Sequence, residues 1–155
     1  MKKLNSILFL AVAAIMAICV GASCSSDSDE DLNNFNAAFS TKFHSIIDTL
    51  KAKNYNYVIV DGRTKALYDA GHIKGAVNYE VTAQNTIDNN AEFPTWLNAN
   101  YPIASGYYVL VYGCGHLSYT VGGRISKCGY GKAHTYYLND SYDTWAKTYT
   151  NEIEK

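Results

Sequence analysis

The sequence lacks most of the features that would assign a function at sight. It has no basic cluster: 13 Lys and Arg stand against 14 Asp and Glu, for a net charge of −1. The electrostatic footprint of a nucleic-acid-binding domain is therefore missing. Its four histidines, His44, His72, His116 and His134, show no ligand spacing such as H-x-x-x-H, so no metal is expected, and nothing calls for another cofactor. No Cys-x-x-x-x-x-Arg pattern is present: counted from Cys114 the arginine's place is Thr120, and Arg124 comes a turn later. Phosphatase chemistry of that type is excluded. There is no internal repeat, and the only biased stretch is the short run Ser25–Asp31. The longest apolar run, Ile7–Val20, is shorter than the roughly 20 residues a membrane-spanning helix needs.

What is present begins with that run. Lys2 and Lys3 precede it, and Gly21-Ala22-Ser23 and then Cys24 follow it. This is the layout of a secretory signal over residues 1–23. A cysteine directly after small residues resembles a bacterial lipoprotein signal, which implies lipidation of Cys24 and a membrane anchor. The place of residue 21 is usually aliphatic in such signals and is Gly here. Ser25–Asp31 (SSDSDED) has no apolar residue and charges of one sign only, so residues 24–34 read as a solvated acidic tether. The acidic run also resembles a lipoprotein surface-export signal. The expected location is the bacterial cell envelope, periplasmic or surface-exposed.

Residues 35–155 suffice for one domain with one core. Phe39, Phe43, Ile46, Ile47 and Leu50 recur at helical spacing, predicting a helix within 35–54. Tyr57–Asp61 (YVIVD) is a continuous β-branched run, as in a strand covered on both faces. Further strands are predicted at Ala76–Val81, Tyr107–Gly113 and Thr135–Leu138, and helices at Thr64–Ala70, Ala91–Ala99, Thr120–Tyr130 and Ser141–Glu154. Thr82–Asn90 reads as a surface loop. Alternating strands and helices imply an α/β domain with a largely parallel sheet and helices on both faces. In such sheets ligands bind beyond the carboxyl ends of the strands, where both Asp61-Gly62-Arg63 and Cys114 fall.

Cys114 has two readings on its own residues. It ends a strand before a helix, where backbone N–H groups and the helix dipole favour a thiolate. It can equally be a small buried hydrophobe. His116 could act as a cation beside the thiol, as a base, or as a solvated loop residue. Cys128 reads as a helix core residue. A Cys114–Cys128 disulfide is disfavoured, because a continuous helix would hold them roughly 15 Å apart and a disulfide needs Cα atoms within about 7 Å. A break at Gly122-Gly123 would reopen that question.

At Val58–Val77 the chain reads VIVDGRTKALYDAGHIKGAV. This resembles the rhodanese-homology family, whose signature is a strand ending in Asp-x-Arg, a short helix, and Gly-His-Ile-x-Gly-Ala. Here those are Asp61, Arg63, Gly71, His72, Ile73, Gly75 and Ala76. The resemblance implies a three-layer domain with a central, mostly parallel five-stranded sheet. It also implies a sulfurtransferase, in which a catalytic cysteine takes sulfane sulfur from a small donor as a persulfide and passes it to a thiophilic acceptor. Counting back from Leu138 and Trp145 places that cysteine at Cys114, and the loop that would hold the persulfide at Gly115, His116, Leu117, Ser118, Tyr119 and Thr120. Asp61, Arg63 and His72 are the family's motif residues, read here as bracing the structure. The loop departs from the family pattern. Leu117 stands where Gly is usual, Tyr119 where Arg is usual, and Gly113 where Tyr usually precedes the cysteine. A diverged loop leaves a second possibility, a non-catalytic, lipid-anchored binding module.

Overall fold

Two strands, β2 (Tyr57–Asp61) and β5 (Tyr108–Tyr112), carry apolar residues at successive positions and lie at the middle of the sheet. They pair in parallel, from Tyr57 against Tyr108 to Asp61 against Tyr112. The computed structural model describes residues 35–86 and 92–155. The leader, Cys24, the acidic tether and part of the Thr82–Asn90 loop lie outside the described residues. Around the central pair stand β1 (Asn36–Ala38), β6 (Thr135–Leu138) and β4 (Ala76–Asn78). The order is β1-β6-β5-β2-β4, and every pairing is parallel.

Side chains alternate along the central strands and feed two cores. Val58, Val60, Val109 and Val111 point to one face, where Phe93 and Leu97 of α4 (Glu92–Asn100) and Val121 and Ile125 of α5 (Ser118–Ile125) cover them. Ile59, Leu110 and Tyr112 point to the other, beneath Phe43, Ile47 and Leu50 of α1 (Ser40–Ala52) and Trp145 of α6 (Tyr142–Thr148). The α/β expectation, with a parallel sheet between helical layers, holds.

The differences are local. The first helix is preceded by an edge strand: Asn36–Ala38 pairs with Tyr136–Leu138, and α1 begins only at Ser40. No side chain of the helix caps it. Asp140 does so from across the sheet, accepting from the Ser40 amide and hydroxyl, both at 2.6 Å. The strand at Ala76 stops at Asn78, whose amide donates to the carbonyls of Asp61 (3.0 Å) and Arg63 (2.9 Å). One helical turn, α3 (Ala83–Thr86), interrupts the expected loop. The helix behind Cys114 starts two residues early, at Ser118, and gives way after Ile125 to a wider turn over Ser126–Tyr130, with Gly129 at φ 111°. The closing helix ends at Thr148; beyond it β7 (Ile153–Glu154) pairs antiparallel with β3 (His72–Ile73). No helix among the described residues is long and apolar enough to cross a membrane.

Candidate functional site

In a parallel sheet all strands end at the same edge, so Asp61, Tyr112 and Leu138 deliver their following loops to one place. Asp61 is fully buried there. Its carboxylate accepts from the Arg63 amide (2.9 Å), from Nε (3.0 and 3.1 Å) and Nη2 (2.6 Å) of the Arg63 guanidinium, and from the Tyr112 hydroxyl (2.6 Å). Arg63 Nη2 also donates to the Gly71 carbonyl at 2.7 Å, and the guanidinium lies 3.6 Å from the centre of the Tyr142 ring. The Tyr112 oxygen accepts in turn from the Ile73 amide at 3.0 Å. Burial, and then the Asp61 charge, pushes the Tyr112 phenol far above its ordinary range, so it stays a donor. A buried charge is tolerable only when paired and saturated with hydrogen bonds, and this carboxylate is both.

His72 belongs to an adjoining brace. It is buried, with Nδ1 3.0 Å from the Tyr68 carbonyl and its ring stacked on Tyr68 at 3.8 Å. Nε2 lies 3.8 Å from Glu154 on the antiparallel β7.

The loop after β5 is a tight helical turn. Gly113 has φ 76° and Gly115 φ 55°, the left-handed region that glycine enters at little cost. The Leu117 amide donates to the Cys114 carbonyl at 3.0 Å, and the Ser118 hydroxyl is hydrogen-bonded to the Gly115 carbonyl and the Tyr137 hydroxyl. Left-handed Gly113 breaks the strand's alternation. Continued regularly, Cys114 would share the face of Leu110 and Tyr112; its side chain instead joins the opposite core, with Val58, Val60 and Val111. It is a free thiol, 6% exposed. The thiol donates weakly to the Tyr112 carbonyl, at 3.7 Å, and packs against Gly62, where a β-carbon would stand 2.5 Å from Sγ. Burial first, and the Asp61 charge second, pushes the thiol up to about 12. The thiolate stabilisation expected from the helix N-terminus is therefore not what the thiol experiences: it has turned into the core. Cys114 is free, so it is not paired with Cys128, which is buried in the turn that follows α5.

Beside this loop a cleft of about 560 Å³ opens. Of the residues singled out from the sequence, Arg63, Gly115, His116, Ser118 and Tyr119 line it. Cys114, Leu117, Thr120, Asp61 and His72 do not. Gly113 lies at its floor, and a β-carbon there would meet Arg63 Cγ at 2.5 Å. The remaining wall is Tyr137 and the run 139–142 that leads from β6 into α6. His116 and Tyr119 are exposed at the rim. No group of acidic, histidine and cysteine residues among the described residues could hold a metal.

A family model for the rhodanese-like domain matches residues 41–148. The chain belongs to the rhodanese-like domain family. No curated protein matches it. The match runs from α1 to the end of α6 and so includes the Asp61–Arg63 pair and the residues that line the cleft. Sequence reasoning did not find Tyr112, Asp140 or Tyr142 as parts of this edge, and it placed Gly62 there without its contact to Cys114. Tyr112 was legible only as a residue within an apolar strand, and Tyr142 only as one of 14 tyrosines. Asp140 carried a weak signal, an acid beside the serine that opens a helix. Nothing local to Gly62 announces a sulfur packed against it.

Proposed function

We propose that this rhodanese-like domain binds a small ligand in the carboxyl-edge cleft without transferring sulfur. The observation that carries this reading is the direction of the thiol: Cys114 faces Gly62 in the core while Gly113 floors the cleft. The count of residues supports it. A tyrosine usually precedes the family's cysteine, and the residue after Tyr112 is Gly113, not Cys114. That count crosses no irregular structure. The count back from Trp145 crosses the irregular stretch 126–134, where chain length can vary. Burial holds the thiol in its neutral form at neutral pH, and a neutral thiol is a poor nucleophile.

A second reading, sulfur transfer through Cys114, is favoured by one observation. Cys114 is a free thiol between two left-handed glycines, Gly113 and Gly115, that could re-aim it toward the cleft. The thiolate would attack the outer sulfur of a donor such as thiosulfate and release sulfite. The persulfide would then give that sulfur to a thiophilic acceptor and regenerate the thiolate. The loop offers Tyr119, a neutral hydroxyl, where an arginine would hold an anionic donor, so a less charged donor fits better. The full chain is incubated with thiosulfate and, separately, with an alkyl persulfide, and the Cys114 peptide is weighed. No added sulfur atom with either donor supports the binding module; a gain of one sulfur, removed by cyanide, establishes transfer and sinks it.

We further propose that lipid on Cys24 holds the domain at the bacterial cell envelope, across the acidic tether. Metabolic labelling with a fatty acid, present in the wild type and lost in Cys24→Ser, is the expected result. An unlabelled wild-type chain overturns it.

A further inference from the structure

Phe35, the first described residue, is 7% exposed and lies flat on α5. Three atoms of its ring would stand 2.6–2.9 Å from a β-carbon at residue 122, so the contact exists only because that residue is Gly. The ring also meets Tyr119 edge-on, at 5.6 Å between centroids. Tyr119 is 52% exposed, lines the cleft and sits in the first turn of α5. From Phe35 the chain runs through β1, pinned by Asn36, whose amide donates to the Lys132 carbonyl at 2.6 Å. It reaches Ser40, which bonds Asp140 on the cleft's other wall. One short segment thus touches the supports of both walls.

We infer that residues 35–40 form a strap that sets the shape of the cleft: seated Phe35 holds Tyr119 over it, and unseating Phe35 frees Tyr119 and the first turn of α5. The inference rests on the reading of the cleft as a binding site. It assigns Phe35 and Gly122 as positioning residues for Tyr119. The physical basis is the distribution of contacts. Tyr119 is half exposed, and among the described residues its one ring contact is Phe35. The Gly-Gly step at residues 122 and 123 offers α5 no side chain of its own to fill the place of the ring. A partner or a pull acting on the chain ahead of residue 35 would be transmitted to the cleft by this contact.

Hydrogen exchange on the full chain tests the strap without any ligand, so its failure and the failure of the cleft as a binding site are separate results. Two variants are compared with wild type: Phe35→Leu, which keeps apolar bulk but loses the flat ring, and Gly122→Ala, which displaces the ring while retaining Phe35. The expected result is about tenfold faster exchange at amides 118–122 in both, with β2 and β5 unchanged, as for a local opening. Unchanged exchange at 118–122 in either variant overturns the strap. So does exchange raised equally in β2 and β5, since that makes Phe35 an ordinary core residue.

Discussion

The thiol of Cys114 and the backbone of Gly62 occupy each other's only room: a β-carbon on residue 62 would come within 2.5 Å of Sγ, 3.2 Å of the Tyr112 carbonyl and 3.2 Å of Val81. Gly62→Ala therefore expels the sulfur or strains its surroundings. Overpacking of this kind costs about 1–3 kcal/mol. The expected outcome is lower stability in urea together with faster maleimide labelling of Cys114 at neutral pH. Labelling as slow as in wild type, at unchanged stability, would show that the thiol does not rest on Gly62.

The same burial gives a pH signature. The thiol's pKa rises on folding from 9.0 to about 12, so the folded state keeps a proton that the unfolded state loses. Its contribution to stability is full below pH 9 and falls as pH rises toward 12, at a slope approaching ~1.4 kcal/mol per pH unit. Buried tyrosines, raised on folding as well, add their own loss as pH approaches 10, so the difference between wild type and Cys114→Ser, measured between pH 8.5 and about 9.5, isolates the thiol. Wild type should lose stability more steeply across that window than Cys114→Ser. Parallel curves for the two proteins would mean that the thiol is not buried in its neutral form.

Asp61 anchors the edge on which the cleft is built. Asp61→Asn leaves Arg63, whose side chain is 11% exposed, without its charge partner. Breaking a buried pair costs about 3–5 kcal/mol. Tyr112→Phe removes the hydroxyl that bridges Asp61 and the Ile73 amide and should cost about 1–3 kcal/mol, the penalty of a stranded buried group. Chemical denaturation of both variants checks the ranking. A Tyr112→Phe protein as stable as wild type would remove the hydroxyl from the brace.

Much of this edge is legible in the amino-acid sequence because its information is local. The run YVIVD and the glycines and histidine after it fix β2, the Asp61–Arg63 pair and the turn into β4 within twenty residues. The strands at residues 57–61 and 135–138 fall where their β-branched and aromatic runs predict. What escapes depends on partners far along the chain. β1 is three residues and β7 two, too short to carry a period, and each forms only because β6 or β3 offers a free edge. The direction of the Cys114 side chain escapes for a different reason. It turns on the left-handed φ of Gly113, and a glycine permits either hand without announcing which.

Gly113 and Gly115 together make the last test. Both are left-handed, at φ 76° and 55°, so alanine at either pays a backbone strain of about 1–2 kcal/mol. They differ in their surroundings: a β-carbon at residue 115 meets nothing within 4 Å, whereas one at residue 113 meets Arg63 Cγ at 2.5 Å and Asp61 Oδ1 at 3.1 Å. Gly113→Ala must therefore also shift the Arg63 stem off the cleft floor. The guanidinium cannot follow freely, since Asp61, the Gly71 carbonyl and the Tyr142 ring fix it. Gly115→Ala should cost only the backbone strain, and Gly113→Ala about 1–3 kcal/mol more, for overpacking. Urea unfolding of the two variants side by side measures the difference directly. Equal losses would mean that the Arg63 stem yields without resistance, and that the cleft floor would accept a larger residue, a cysteine included.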